Sequence, residues 1–531
     1  MKKIRLIKGR RGYIMPWVII LFLLVSLLST VIVSASAISV RSTQTNHSTR
    51  QAYYSARSAA VVVVDYILKN GHDDDALAKV LNSSGSGSSD LLGDYTVEVY
   101  GISSTRIKVT ATAVYRGERS TVTATLARLP GGSSGVVPNE NLVFLGEGGS
   151  AVFGQGVYNG DVYINGDFTF GHGSTVNGKA IVTGDTLVDG GAHANLTHLI
   201  GFGDFTLSGS ARIGGDVLTK GNVYMNQGGS SIAGNLFADG SLYMQNGSDY
   251  VGGNATIGGD AFFGGGGDRV RGSLAHGGGV HLGYGSISTF VRGGSTQLSD
   301  YQPLDLSGYE GPATLPVVAP PTPAQNPQLY QPVEISGNRI SSSGSVNSAV
   351  LSKLNQIGNN SYGATITLDT GGGDISLLVK DTDFFVDKGF KYEVTGPGRV
   401  YIYLTGASSL RLGANQYMGM QVRSSNPRLF IIGDGDQTVN VFSNSALNAC
   451  VYLPRGNFFA SGSDLGQYKF AGVMMANYVD VGSNVKMQYS SADLTGTPLA
   501  DLIGSGGSPG GGEGGEGGTG GSWLLEGWDN R

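Results

Sequence analysis

The sequence predicts an α+β chain: a long N-terminal helix with a small antiparallel sheet, followed by right-handed parallel β-solenoid segments. Three observations predict it. A long apolar run near the N-terminus passes into helical periodicity; three alternating segments lie between residues 94 and 129; and glycines recur every 18 to 19 residues between 160 and 278.

The N-terminal helix comes first. Residues 12–40 carry no charge, and Lys2, Lys3, Arg5, Lys8, Arg10 and Arg11 stand before them without an acidic residue. Residues 14–33 are almost wholly apolar, enough as a helix to cross the roughly 30 Å core of a bilayer. The basic block is expected to stay cytoplasmic and the remaining chain to be exported, giving a single pass through the cell membrane. A secretory signal peptide orders its charged and apolar regions the same way. Against it stand the length of the run, the lack of a clear A-x-A-type site close behind, and the helical pattern that follows. In residues 51–69, Ala52, Ala56, Ala59, Val63 and Tyr66 are spaced by three and four, the period of one helix face. One helix over residues 13–69 would be about 85 Å long. Asn70-Gly71 supplies a left-handed stop.

The sheet comes next. Tyr95, Val97 and Val99 alternate, then Ile107, Val109 and Ala111, then Val122, Ala124 and Leu126, with turns at Ser103-Ser104 and Arg116-Gly117. Residues 82–89 read as a Gly/Ser loop and residues 130–137 as a break.

At this junction the residues carry a resemblance. KGRRG followed by YIMPWVIILFLLVSLL resembles the class III leader of type IV pilins and pseudopilins. QAYYSARSAA is similar to a segment of PilX-type pilus assembly proteins. The resemblance covers about residues 10–129. It implies cleavage between Gly12 and Tyr13 by a prepilin peptidase, and packing of the helix against other pilin-like subunits after residence in membrane lipid. One departure stands out. Pilins carry a Glu at the fifth mature position, and Trp17 occupies it here, with Pro16 before it. A buried carboxylate needs a partner, and Trp17 cannot serve the terminal amine of a neighbouring subunit. The resemblance therefore implies a minor subunit, at the tip or in priming, with a minor subunit elsewhere in the fibre as the alternative.

Composition fits an exported, elongated chain. Gly supplies 87 of 531 residues and charged residues only 14%. The net charge is −5, and without the six leader cations 29 basic residues face 40 acidic ones, or −11. That balance offers no footprint for nucleic acid. Cys450 is the only cysteine, so no intrachain disulfide exists.

The solenoid rests on periodicity. Gly160, Gly178, Gly215, Gly234, Gly253 and Gly272 hold one phase, with Leu196 where a further glycine would fall; Gly166, Gly184, Gly203, Gly221, Gly240, Gly259 and Gly278 hold a second. Each introduces a short alternating segment, such as Val162 and Ile164 or Leu242 and Met244. Apolar pairs with a Gly or Asn at each bend describe about seven triangular β-solenoid coils, a rod near 33 Å at one strand spacing per coil. Residues 159–285 resemble bactofilin-like polymer-forming parallel β-helices. The left-handed hexapeptide helix is the rival hand, disfavoured by the 19-residue coils. Coil ends must be capped; the sheet domain before Val143 and the linker after Gly294 are the candidates. Residues 301–332 are Pro-rich and read as a semi-rigid spacer. Apolar segments then recur every 21 to 29 residues, as in larger, irregular coils, and residues 451–494 resemble the C-terminal domain that accompanies PilX-type N-termini. A Gly-rich tail, residues 504–522, leads to WLLEGWDNR, whose Trp523 and Trp528 would dock on a partner, cover this chain's own surface or stay mobile.

The expected organisation is a basic leader (1–12), a transmembrane, pilin-like helix (13–70), a small sheet domain (71–130) and a linker (131–140). A solenoid (141–292), a Pro-rich linker (293–333), a C-terminal irregular solenoid (334–502) and the tail (503–531) follow.

Chemistry-bearing constellations are sparse. His193 and His198, and His276 and His281, stand five apart, a spacing that separates them in a coil. Asp161, Asp167, Asp185, Asp204, Asp216 and Asp260 follow corner glycines and read as turn chemistry. Cys450 lies in an apolar strand and reads as buried and inert. No catalytic residue, metal ligand or cofactor is expected; the singled-out positions are the processing residues Gly12 and Tyr13. The expected function is that of a minor subunit of a type IV pilus-like filament, moving from the membrane to the cell surface and displaying a solenoid stalk for adhesion to surface glycan or a host surface. The alternatives are a membrane-anchored glycan-binding or glycan-cleaving β-helix, favoured by exposed aromatic ladders or a carboxylate pair about 5–10 Å apart, and a static surface scaffold.

Overall fold

The computed structural model describes residues 14–530, apart from residues 71–73, 90–92, 104–105, 129–135, 172, 190–192, 195, 227, 246, 300, 312–313, 361–362, 386–389, 414, 421–425, 463–467 and 503–522. Gly12 and Tyr13 lie outside the described residues.

The α+β expectation, built on a pilin-like N-terminal helix, is corrected: the chain is mostly β, with 46% strand against 16% helix. The physical reason lies in the middle and C-terminal parts, whose short strands join one parallel sheet of 31 and a second parallel sheet of five. Among the described residues no helix is long and apolar enough to cross a membrane. Two compact units form: residues 1–130 with 520–531, and residues 131–519.

In the first unit, helix α1 (Ile14–Asn70) lays Ala52, Ala56, Ala60, Val64 and Ile67 against the sheet. The buried face is turned from the expected one: Tyr66 is 39% exposed, because burial selects branched Val64 and Ile67 and leaves the phenol in water. The sheet has strands β1 (Ser84–Ser89), β2 (Gly93–Ser103), β3 (Arg106–Tyr115) and β4 (Glu118–Arg128). Val97, Val99, Ile107, Val109, Ala111, Ala113, Val122, Ala124 and Leu126 face α1. Arg116 and Gly117, with φ of 50° and 83°, make the tight hairpin between β3 and β4. The expected Gly/Ser loop at 82–89 is in part strand: β1 pairs antiparallel with β2. Backbone pairing needs no apolar side chain, and a Cβ on Gly87 would come within 2.4 Å of the Tyr95 ring. The tail also pairs: strand Trp523–Asn530 runs antiparallel along β4, closing a five-stranded sheet.

The second unit corrects the expected division into two solenoids. Strand Phe470–Val481, near the end of the second solenoid, pairs in parallel with Val143–Phe153, the first strand of the first. The stack therefore begins at Gly344–Val346, runs to Phe470–Val481, continues at Val143–Phe153 and ends at Ser295–Gln297. Fifteen strands stack in this row, which at 4.7–4.9 Å per step rises about 67 Å. Alternate residues turn inward, and Val143, Leu145, Val162, Ile164, Ala180, Val182, Val217 and Leu236 join one continuous core.

The caps also differ from expectation. Helix Ser348–Asn360 buries Val350 and Leu354 at one end. Helix Ile287–Phe290 buries Phe290, with Val291, at the other. No cap is needed at Val143, because the neighbouring coil comes from the C-terminal segment.

Candidate functional site

Glycine and aspartate build the corners together. Asp167 Oδ1 accepts from the Asp185 N–H at 2.9 Å, Asp185 Oδ1 from the Asp204 N–H at 2.8 Å, and Asp204 Oδ1 from the Asn222 N–H at 2.7 Å. Asn222 and Ser241 continue the ladder to Asp260, whose Oδ1 accepts from the Gly279 N–H at 2.6 Å. A second ladder runs through Asp216, Asn235 and Asn254 to Ser273. The glycine is required because the next coil passes this close: a Cβ on Gly184 would stand 2.3 Å from Asp167 Oδ1. Each of these acidic groups, expected as turn chemistry, thus caps a neighbouring coil. At Asp260 the Gly279 N–H, aided by His281 at 3.4 Å, holds the carboxyl below the ordinary range.

Ten consecutive outward residues of the 15-strand row are buried: Tyr403, Ile432, Tyr452, Met475, Phe144, Tyr163, Ile181, Ile200, Leu218 and Phe237. Residues 301–332, expected as a spacer, form a strap over this face. Tyr301 donates to Asp239 Oδ1 at 2.7 Å, the Gly311 N–H donates to the Tyr163 hydroxyl at 2.8 Å, and Tyr452 donates to the Pro316 carbonyl. Leu304, Leu306, Tyr309, Leu315 and Leu329 are buried beneath or within it. Ring and isoleucine positions on the outside of a coil make a surface that water would penalise, and the strap removes it from water.

A neighbouring face carries an aromatic ladder, the feature that would favour the glycan-binding alternative if its ring faces were open. Tyr224, Tyr243, Phe262 and His281 stack at 4.9, 4.7 and 4.5 Å with interplanar angles of 8°, 4° and 12°. The signal was present in the sequence as the middle residue of VYM, LYM, AFF and VHL. A sugar stacks on a ring face, whereas these faces lie against one another and turn their edges outward. The ladder therefore stiffens the coil stack and offers few faces for a saccharide.

The histidines of each pair lie on separate strands. His193 pairs in register with Arg212, while His198 lies in another strand with Nδ1 buried and unpartnered, and burial holds its imidazole below the ordinary value. His276 Nδ1 meets the Gly278 carbonyl at 2.8 Å. Among the described residues no group of three or more His, Cys, Asp or Glu could hold a metal. Cys450 is buried, and burial pushes its thiol up to about 12.

One polar cavity, about 700 Å³, opens between two coils and is lined by Gly406, Ser408, Asp434, Asp436 and Gln437. Gln437 organises it, donating to Asp434 at 3.1 Å and to the Gly406 carbonyl at 3.0 Å while accepting from the Gly435 N–H at 2.6 Å. The lining can hydrogen-bond a polar ligand.

Residues 356–494, which include this cavity, match a domain of unknown function, DUF7305. No curated protein matches the sequence. Among solved structures, the chain is similar to the competence-associated pilin ComZ from Thermus thermophilus, at 12% identity, covering 91% of this chain and 97% of that one, with a TM-score of 0.20. It is also similar to an ice binding protein from an Antarctic Flavobacteriaceae bacterium, at 11% identity, 68% and 98% coverage and a TM-score of 0.09. At such scores neither likeness carries an argument.

Proposed function

We propose that this chain is a minor subunit of a type IV pilus-like surface filament, which it reaches from the cell membrane, and that it displays its solenoid outside the cell. One observation carries the display reading. The second unit stacks fifteen parallel strands on one continuous core, and helices close both ends of that row, burying Val350 and Leu354 at one end and Phe290 at the other. A closed, rigid stack of this kind suits a display element. The corner carboxylates are engaged in coil building, which supports a structural rather than a catalytic use. The pilus assignment rests on the sequence around Gly12, Tyr13 and residues 51–60. A prepilin peptidase, neighbouring pilin-like subunits and membrane lipid are the partners it entails, and a surface glycan is the ligand class that the polar cavity suits.

Intact-mass measurement of protein extracted from membranes tests the reading. Loss of residues 1–12 is expected. A chain that still begins at Met1, or surface delivery unchanged by Gly12→Val, overturns it.

A further inference from the structure

The first unit is assembled from both extremes of the chain. Its strand β4 pairs with seven residues of the C-terminal strand, from Arg128 opposite Trp523 to Val122 opposite Asn530, with a register irregularity between Thr125 and Leu126. Between these strands the chain lays down the whole second unit. We propose that the outer edge of β4 is a strand-acceptor site, and that between subunits it takes residues 523–530 of a second copy of this chain.

The occupant seated in cis shows what the edge accepts: an extended, antiparallel segment held through backbone hydrogen bonds. A second copy carries the identical segment, so its pairing with β4 is equivalent bond for bond. The opposite edge of the sheet is β1, SGSGSS, which presents no side chain larger than serine. Strand β4 is a prepared template, fixed by Val122, Ala124 and Leu126 against α1. With residues 523–530 withdrawn, its unpaired N–H and C=O groups seek another strand. In a packed array of subunits, donor and acceptor of neighbouring copies are brought to high local concentration, and exchange costs no net pairing.

Disulfide trapping between full-length chains tests this. Thr123 and Asp529 are register partners. Copies carrying Thr123→Cys, mixed at high concentration with copies carrying Asp529→Cys and oxidised, are expected to give interchain dimers. The dimers should be lost when Arg119→Cys, beyond the paired stretch, replaces Thr123→Cys. A chain with both Thr123→Cys and Asp529→Cys, oxidised while dilute, should close on itself and then fail to cross-link with neighbours. Cross-links confined to single chains at every concentration overturn the proposal. As a second measurement, a chain ending at residue 502 should regain hydrogen-exchange protection in β4 when a peptide of residues 523–530 is added. Failure of that peptide to protect β4 in a folded truncated chain also overturns it.

Discussion

The backbone N–H of Gly311 donates to the Tyr163 hydroxyl at 2.8 Å, tying the Pro-rich strap to a coil laid down 148 residues earlier. This contact explains how one chain builds a stack whose order in space departs from its order in sequence. After Ser295–Gln297 the chain stands at one end of the stack, and it must return along the outside before starting again at Gly344–Val346. The strap makes that return and buries the apolar outer face on the way. Burial pushes the Tyr163 phenol upward, so the group stays neutral and serves as an acceptor.

Tyr163→Phe should loosen the strap without disturbing the coils. The ring is retained, while the Gly311 N–H loses its acceptor, at a cost of about 1–2 kcal/mol. Hydrogen exchange should speed up at Gly311, while amides of Val162 and Ile164 keep their protection. Unchanged exchange at Gly311 would show that the strap holds by apolar contact alone.

Gly184→Ala should destabilise the second unit by about 1–3 kcal/mol through overpacking, because the new Cβ would lie 2.3 Å from Asp167 Oδ1 and 2.6 Å from the Gly166 carbonyl carbon. Gly372→Ala is the matched control, with nothing within 4 Å of its added Cβ. Thermal unfolding of the two variants should separate them clearly.

Asp249 is fully buried, accepts from the Ser230 N–H at 2.8 Å and the Gly229 N–H at 3.1 Å, and keeps Oδ2 without a partner. Burial pushes its carboxyl from 3.8 up to about 6, with Asp268 adding to the rise. The folded state therefore holds a proton that the unfolded state releases above pH 3.8. Stability from this group falls as pH rises from about 4 to 6 and is constant above, a loss on the order of 1–2 kcal/mol after screening. Asp249→Asn should flatten that dependence, as denaturant unfolding at pH 4.5 and pH 7.5 would read.

Tyr243 stacks on both Tyr224 and Phe262. Tyr243→Ser removes both ring contacts and should cost about 1–3 kcal/mol, whereas Leu187→Ser on an exposed rung of the same face should stay within about 0.5 kcal/mol. Equal effects in chemical unfolding would remove the stiffening role assigned to the ladder.

Cys450 should resist alkylation in the native protein across pH 7 to 9 and react at once in denaturant, since the thiolate is the nucleophile and burial raises its pKa to about 12. Mass spectrometry after iodoacetamide treatment checks this.

What could be read from the residues alone was local and repetitive. The 18 to 19 residue rhythm, the glycine before each corner carboxylate and the inward alternation of Val162 and Ile164 each depend on contacts that recur one coil apart. The same holds for β2 to β4, where alternation and a left-handed hairpin turn act between neighbours in sequence. The helix face was legible only to within one residue, because small alanines leave the rotation to the packing of Val64 and Ile67. The stacked face of Tyr224 and Tyr243 was open to reading but was hidden by their position in the middle of short strands.

Tertiary structure alone decided which distant segments became neighbours. Parallel backbone pairing between Phe470–Val481 and Val143–Phe153, or between β4 and Trp523–Asn530, uses N–H and C=O groups that every residue shares, so the chain carries no local mark of the partner. The proline-rich residues 301–332 likewise look like a spacer until the apolar outer row, from Tyr403 to Phe237, exists for them to cover. Periodicity is a property of adjacent coils; closure and order belong to the free energy of burying the surfaces those coils create.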